Sequence, residues 1–191
     1  MKKVLLINGS PNSTGSTYNA LSVLSRFLHN KGLETEVFQL GGNLIRGCQA
    51  CGVCRKIRNR RCVYNDDIIN ITIEKMEVAD AIIFASPTYF GNVTAEMKAL
   101  IDRAGYVGRG NQYMFGGKVG AAVVTMGHAG GVTVYNSLNL FFTTNNMPIA
   151  PSTYWNIIVT NPDKMPTEVE KATLDNLATN IVEMLRYKYE F

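Results

Sequence analysis

Long hydrophobic runs are missing from this 191-residue sequence. No apolar stretch reaches the roughly 20 residues that a membrane-spanning helix needs. The opening MKKVLLINGS has apolar residues only at positions 4–7, whereas a secretory signal requires roughly 7–15 of them. We therefore expect a cytoplasmic protein without a membrane span, in which residues 4–9 form the first buried β-strand.

Cysteine is missing everywhere except in one short segment, CQACGVCRKIRNRRC at residues 48–62, which holds Cys48, Cys51, Cys54 and Cys62. In a reducing compartment, structural disulfides are not expected. The spacing C-x2-C-x2-C-x7-C begins like the cluster motifs of bacterial ferredoxins, whereas structural zinc more often uses two separated cysteine pairs. A [4Fe–4S] cluster, a zinc site and unligated cysteines all remain open on spacing alone.

An excess of positive charge is also missing outside that segment. Five of the 19 Lys and Arg residues lie between Cys54 and Cys62, and without them the net charge of +4 becomes −1. A nucleic-acid-binding domain usually spreads its cations along one face, so we do not expect a nucleic-acid partner. The local cations would suit an anionic cluster, an acidic partner or the 2′-phosphate of NADPH, or they are simply solvated surface.

Apolar segments alternate with amphipathic helical patterns along the chain. We predict strands at residues 4–9, 35–40, 81–86, 119–126 and 153–159. We predict one helix after the first turn and three more at about residues 65–77, 94–103 and 132–144. A last helix begins at a capping box formed by Thr167 and Glu170. Buried strands alternating with helices predict an α/β three-layer sandwich with a parallel sheet in the flavodoxin-like order 2-1-3-4-5. We expect a single domain over residues 1–191 with a cysteine-rich insert at 48–62.

Ligands of such sheets bind at the carboxyl ends of the strands, which directs attention to three loops. The first, GSPNSTGSTY at residues 9–18, combines hydroxyls, glycines and a helix N-terminus, as a phosphate cradle does. It matches neither the Walker A pattern nor the dinucleotide fingerprint. Taken alone, the loop is equally well explained as a turn that caps the following helix.

The other two loops favour a flat ligand. SPTYFGNVT at residues 86–94 supplies Tyr89, Phe90 and a flexible Gly91, and TMGHAGG at 125–131 has three glycines that allow close backbone approach. His128 in the third loop is more typical of a solvated residue than of a catalytic one. Together the loops suit a monophosphate with a planar ring system, and FMN is such a ligand.

Four stretches resemble a known family: GSPNSTGST, the cysteine segment with its C-x3-DD ending, ADAIIFASPTYFGNVTAEMKALIDR, and TMGHAGG. They resemble the flavodoxin-like NAD(P)H-dependent FMN reductases over about residues 1–185, and the cysteines resemble those of the iron–sulfur flavoproteins of anaerobes. The x7 gap before Cys62 lies at the long end for that branch. By this resemblance Ser10, Asn12, Ser16 and Thr17 would hold the FMN phosphate, and the flavin would contact Pro87, Thr88, Tyr89, Phe90, Gly91 and Asn92, with Thr125 and Gly130 from the third loop.

The resemblance implies an FMN-dependent oxidoreductase in which a [4Fe–4S] cluster on the four cysteines passes single electrons to or from FMN. NAD(P)H or reduced ferredoxin would be the electron donor, a small molecule or a protein the acceptor, and the chain a homodimer or homotetramer. FMN carries the chemistry, so no catalytic side chain is predicted. A cluster-free FMN or quinone reductase and a non-enzymatic electron carrier or metal-binding protein are the alternatives. Residues 104–117, rich in glycine and aromatics, are predicted to form a lid or a subunit contact.

Overall fold

The computed structural model describes residues 1–187, so the last four residues of the predicted domain lie outside the described part. Strands and helices alternate along the chain. In order they are β1 (Lys3–Asn8), α1 (Ser16–Asn30), β2 (Glu34–Gln39), α2 (Val53–Ile57), α3 (Ile69–Val78), β3 (Ala81–Pro87), α4 (Ala95–Gly110), β4 (Val119–Met126), α5 (Gly131–Thr144), β5 (Ile157–Val159) and α6 (Glu168–Arg186).

The strands form one five-stranded sheet in the order β2-β1-β3-β4-β5, and every neighbouring pair is parallel. This confirms the predicted flavodoxin-like topology. Strand β3 lies at the centre, and Phe84 is paired with Ile7 on one side and Ala122 on the other. The carboxyl ends of β1, β3 and β4 therefore meet at one edge of the sheet, where ligands of such folds bind.

Each face of the sheet is covered by helices, because the strands bury apolar side chains on both sides. Helices α1 and α6 pack on one face, where Leu24 and Leu177 are fully buried. Helices α3, α4 and α5 pack on the other, around Phe84. There the rings of Phe141 and Phe142 lie with their centroids 4.8 and 5.0 Å from that of Phe84. The result is the expected three-layer sandwich.

Strand β5 is much shorter than the predicted strand at 153–159. The first half of β4 already pairs with the segment 148–150, since Gly120 donates to the Pro148 carbonyl and accepts from the Ala150 amide. Residues 153–155 therefore lie outside the ladder, which resumes where the Asn156 carbonyl accepts from the Val124 amide at 2.8 Å. Tyr154 and Trp155 are exposed there, and their rings contact each other in a tilted arrangement with centroids 5.2 Å apart.

The segment 104–117, predicted to form a lid or a subunit contact, belongs in its first half to α4, which continues to Gly110. Its glycines serve packing. A Cβ on Gly108 would lie 2.7 Å from the Phe115 ring, so glycine at this position lets α4 approach that ring closely. Helix α3 begins at Ile69, four residues later than predicted, because Asp67 bonds to neighbouring amides and to Arg103. None of the described helices is both long and apolar enough to cross a membrane.

Candidate functional site

Hydrogen bonds tie the three predicted loops together at the carboxyl edge of the sheet. The hydroxyls of Thr17 and Thr125 lie 2.7 Å apart and join the start of α1 to β4. The Thr88 amide donates to the Thr125 carbonyl at 2.8 Å, and the Thr94 hydroxyl donates to the Gly9 carbonyl at 2.7 Å. The structure therefore brings the predicted site residues of all three loops to one place.

The first loop has a shape that its own polar groups define. The Ser10 hydroxyl accepts from the Asn12 amide at 3.2 Å, and the Asn12 side chain, which is exposed, accepts from the Thr14 amide at 3.0 Å. Below the loop, the side-chain amide of Gln39 donates through Nε2 to the carbonyls of Ser10 and Gly41, each at 2.7 Å. A Cβ on Gly41 would overlap the backbone of Ser10, so this contact requires glycine.

The N-terminus of α1 opens into that loop without a side-chain cap. Its N-cap residue is Gly15, whereas α4 is capped by the Thr94 hydroxyl, which accepts from the Met97 amide. The first amides of α1 are therefore available to an anion, and the positive end of the helix dipole points toward it. Ser16 is half-buried beside these amides and Thr17 is buried.

The second loop ends in a tight turn whose rings stand away from the core. Tyr89 and Asn92 exchange backbone hydrogen bonds of 2.8 and 3.0 Å, and Phe90 and Gly91 both have positive φ, 47° and 76°. Tyr89 is half exposed and Phe90 fully exposed. Their rings are therefore exposed at the edge of the sheet where the sequence predicts a flat ligand.

The third loop packs closely against the second loop at Gly130. A Cβ on Gly130 would lie 2.9 Å from both the Cα of Gly91 and the methyl of Thr88. Beneath this contact the Thr88 hydroxyl is buried with no hydrogen-bond partner among the described residues. A buried hydroxyl of this kind is stabilised by a ligand polar atom, so the residues present fit a bound phosphorylated flavin. Pro87 lies half-buried at the end of β3, and His128 is exposed in the third loop.

The four cysteines line a single cavity of about 210 Å³, against Arg103, Tyr106 and Val107 of α4. Burial raises the pKa of the Cys54 thiol, and the neighbouring Cys62, Cys51 and Cys48 raise it further. Within residues 1–187 no group of three or more His, Cys, Asp or Glu side chains that could hold a metal ion is found.

Asp67 of the C-x3-DD ending and two side chains that the sequence did not single out, Asn70 and Arg103, hold the cysteine segment. Asn70 accepts from the Cys62 amide at 2.8 Å and donates to the Cys62 carbonyl at 2.9 Å. Arg103 forms an ion pair with Asp67, and burial by itself would lower the pKa of its guanidinium, but Asp67 and Cys62 beside it raise the pKa. Two features of the sequence could have indicated this ion pair. Arg103 is a charged residue on the apolar stripe of a predicted helix, and Asp67 belongs to the C-x3-DD ending.

The basic run of the cysteine segment divides into two parts. Arg60 and Arg61 form ion pairs with Glu77 and Glu74 of α3. Arg55 instead lies over the Tyr106 ring at 4.7 Å from its centroid. It also lines an open pocket of about 280 Å³ together with Arg58, Arg109, Gly110 and Tyr113. Part of the basic run is therefore structural, and part forms a cationic surface next to the cysteine cavity.

Comparison with known proteins agrees with this geometry. The family model described as NADPH-dependent FMN reductase matches residues 2–160. The chain belongs to this family. Among curated relatives, an iron–sulfur flavoprotein of Archaeoglobus fulgidus is 40% identical over 138 residues, which cover 72% of this chain and 66% of that protein, just under two thirds of its length. An iron–sulfur flavoprotein of Methanocaldococcus jannaschii is 33% identical over 147 residues, covering 76% of this chain and 74% of that protein.

Solved structures show the same fold at low sequence identity. A flavodoxin, WrbA-like protein from Agrobacterium tumefaciens aligns with a TM-score of 0.68 at 14% identity, covering 99% of this chain and 100% of the other. A flavone reductase aligns with a TM-score of 0.73 at 16% identity, covering 96% of this chain and 63% of that one. The flavodoxin-like fold is therefore shown by the structures, while family membership supports FMN as cofactor and flavin-dependent redox chemistry.

Proposed function

We propose that the protein is an FMN-dependent oxidoreductase or electron-transfer flavoprotein, with a [4Fe–4S] cluster on Cys48, Cys51, Cys54 and Cys62 that exchanges single electrons with FMN. One observation carries the proposal. The four cysteines, the only ones in the chain, line one cavity, and the three loops at the carboxyl edge of the sheet fit a phosphorylated flavin. The matched family and the names of the relatives support the same reading.

In this proposal the phosphate lies at the uncapped start of α1, with Ser10, Asn12, Ser16 and Thr17 around it. The ring lies against the loop of residues 87–92, where Thr88 offers its unpaired hydroxyl. Thr125 and Gly130 form the floor through their backbone, since both already contact the second loop. FMN, when bound, supplies the redox chemistry, and the chain binds, orients and shields it.

The [4Fe–4S] cluster is the more specific part of the proposal. Four thiolates in one cavity are soft ligands that suit an iron–sulfur cluster, and a bound [4Fe–4S] cluster would give the protein a one-electron port. Zinc on the same cysteines and a cluster-free reductase are the alternatives. A quinone-reducing NAD(P)H dehydrogenase of Methanosarcina acetivorans is 44% identical, although only over 54 residues, 28% of this chain and 25% of that protein.

For partners, we propose NAD(P)H or reduced ferredoxin as donor and a small molecule or protein as acceptor. The cationic surface of Arg55, Arg58 and Arg109 suits an acidic protein or a phosphate group. We also propose a homodimer or homotetramer. The rise of α4 places the cavity residues Arg103 and Val107 roughly 12–18 Å from the flavin loop along the helix. A second copy that covers the exposed Phe90 could shorten the path between the two centres.

The phosphate position is tested by comparing FMN with riboflavin, which lacks only the phosphate. The double variant Ser10→Ala/Ser16→Ala removes hydroxyl bonds to a charged group, each worth about 1.5–3 kcal/mol. We expect the FMN dissociation constant to rise at least about tenfold more than that of riboflavin. Ser25→Ala, which removes a hydroxyl from the same helix away from the loop, is the control. Equal losses for both ligands in the double variant would place the phosphate elsewhere.

The cluster is tested by anaerobic reconstitution followed by iron, sulfide and zinc analysis. We expect four iron and four sulfide per chain, with FMN bound, and loss of the iron but not of FMN after Cys54→Ser. Zinc in place of iron, or a trace of any metal with FMN fully bound, would show that the cysteines do not hold a cluster.

A further inference from the structure

A buried ion pair lies beside the cysteine cavity but belongs neither to the flavin loops nor to the cysteine ligands. The side chains of Arg103 and Asp67 are 0% and 3% exposed. Burying two charges carries a desolvation penalty that an apolar pair would not, so stability alone is a weak reason for such a pair. Its hydrogen bonds indicate another role.

The guanidinium of Arg103 joins the two ends of the cysteine loop, residues 47–63. Its Nη1 donates to the Arg46 carbonyl at 3.0 Å, immediately before the loop, and its Nη2 donates to the Tyr64 carbonyl at 2.8 Å, immediately after it. A planar guanidinium can hold both carbonyls at once because its donors lie in a fixed fork. The loop is therefore closed at its base by one side chain.

Asp67 orients that guanidinium. One of its oxygens, Oδ2, accepts from Arg103 Nη1 and also from the Arg46 amide at 3.1 Å, while Oδ1 accepts from the Ile69 amide at 3.1 Å. The carboxylate thus holds the guanidinium, the entry of the loop and the start of α3 in one arrangement.

One donor nitrogen of the guanidinium, Nε, has no partner among the described residues. Arg103 Nε is buried and makes no hydrogen bond to the described residues, and Arg103 lines the same cavity as the four cysteines. A cationic N–H without an acceptor, at the wall of a cavity of thiols, is suited to an anionic occupant.

We propose that Arg103, oriented by Asp67, is the positioning residue of the cysteine cavity: it closes the loop of residues 47–63 without any metal, and it supplies the positive charge that favours an added electron on the occupant. The electrostatic role rests on the proposed function, since the occupant is the [4Fe–4S] cluster. The positioning role does not rest on it. Many small metal sites form only when the metal binds. Here the hydrogen bonds of Arg103 to the Arg46 and Tyr64 carbonyls hold the two ends of the loop without using a cysteine.

The positioning role is tested on cluster-free, FMN-loaded protein by hydrogen exchange. The variant Asp67→Asn/Arg103→Gln removes both charges together, so that neither is left buried alone. We expect amides of residues 47–63 to exchange at least tenfold faster than in the unmodified chain, with β1, β3 and β4 unchanged. Lys98→Gln/Asp102→Asn, which neutralises an exposed pair on the same helix, is the matched control and should leave the loop within twofold.

Unchanged exchange in the loop of the double variant would overturn the positioning role. If that variant does not fold, Arg103→Lys serves in its place, because an ammonium keeps the charge but lacks the fork that holds both carbonyls. Loss of protection throughout the chain in both variants would make the pair a general element of the fold and would also overturn the proposal.

The electrostatic role is tested by redox titration of the reconstituted protein. At a fixed electrode potential, Arg103→Gln should lower the ratio of reduced to oxidised cluster at least tenfold, a 59 mV shift for a one-electron couple. Asp67→Asn should raise that ratio, and Lys98→Gln should leave it within twofold. Opposite signs separate a charge effect from simple loosening of the loop.

Shifts of the same sign, or none, would overturn the electrostatic role. If the unmodified chain binds no cluster, the cluster part of the proposed function is wrong, and the hydrogen-exchange result alone decides whether Arg103 positions the loop.

Discussion

Phe90 shows how a single residue at the candidate flavin loop departs from what its backbone favours. It lies at the first central position of a tight turn with φ of 47°, next to Gly91 at 76°, and its ring is fully exposed. Turns with positive φ at both central residues strongly prefer Asn-Gly, and a phenylalanine there is strained. A ring kept exposed in a disfavoured conformation is best explained by a ligand or a second subunit that covers it.

Replacing Phe90 by Asn should therefore separate stability from binding. We expect the free energy of unfolding of the FMN-free protein to rise by up to about 1 kcal/mol in urea denaturation, because Asn tolerates this conformation better. Flavin binding should weaken and flavin fluorescence should change. Phe90→Leu keeps the backbone strain and removes the aromatic ring, so it should change binding without the gain in stability. Unaltered flavin binding in both variants would move the ring away from this loop.

At the scale of an element, α4 links the flavin loops to the cysteine cavity. It starts at the Thr94 cap beside the second loop, and Arg103, Tyr106 and Val107 in its second half line the cavity. The Thr94 hydroxyl accepts from the Met97 amide and donates to the Gly9 carbonyl at 2.7 Å. One hydroxyl thus caps the helix and attaches it to the first loop.

Removing the Thr94 hydroxyl should affect both the cap of α4 and its attachment to the first loop. Thr94→Ala loses an N-cap, worth about 1 kcal/mol, and a buried hydrogen bond, worth about 1 kcal/mol. We expect the free energy of unfolding to fall by roughly 1–2 kcal/mol in urea denaturation, and FMN affinity to fall because the Gly9 backbone is released. Thr94→Ser keeps the hydroxyl and should retain most of both. A serine variant as unstable as the alanine variant would show that the methyl group, and not the hydroxyl, matters.

Across the whole molecule, the two edges of the sheet have different chemistry. The carboxyl edge carries hydroxyls, glycines and free helix amides, whereas charged side chains cross-link the segments at the opposite edge. There Asp80 accepts from the Lys2 ammonium and the Lys3 amide, both at 2.8 Å, and Lys118 donates to the carbonyls of Glu77 and Ala79. Ionic contacts hold the strand starts together, which leaves the carboxyl edge available for ligand binding.

This arrangement predicts a pH dependence of stability. Burial by itself would raise the pKa of Asp80, but hydrogen bonds from Lys2 and Lys3 and the charge of Lys118 lower it below its ordinary 3.8. A lowered carboxyl pKa adds stability above pH 3.8, and this is lost as pH falls through the folded-state pKa. Asp80→Asn should therefore cost about 1 kcal/mol at pH 7 in urea denaturation, for a partly exposed pair. The difference in free energy of unfolding between the unmodified chain and Asp80→Asn should shrink below pH 3.8. A difference that stays constant with pH would show that the Asp80 carboxylate is not the stabilising group.

Much of the fold was predictable because its signals are local. Apolar runs such as AIIFAS and the capping box at Thr167 and Glu170 each depend on neighbours in sequence. The errors occurred where distant contacts decide. The segment 148–150 takes the pairing that residues 153–155 would need, and Phe115 packs against Gly108 of α4 within the segment predicted to form a lid or a subunit contact.

The sequence by itself determined the alternation of strands and helices, the three polar loops and the grouping of the four cysteines, because spacing, periodicity and turn chemistry are written in consecutive residues. Only the tertiary structure decided which groups meet. It placed Thr17 against Thr125, 108 residues away, and Arg103 between the two ends of the cysteine loop, 57 residues from Arg46 and 39 from Tyr64. Such contacts follow from the crossover connections of the parallel sheet, which no local pattern specifies residue by residue.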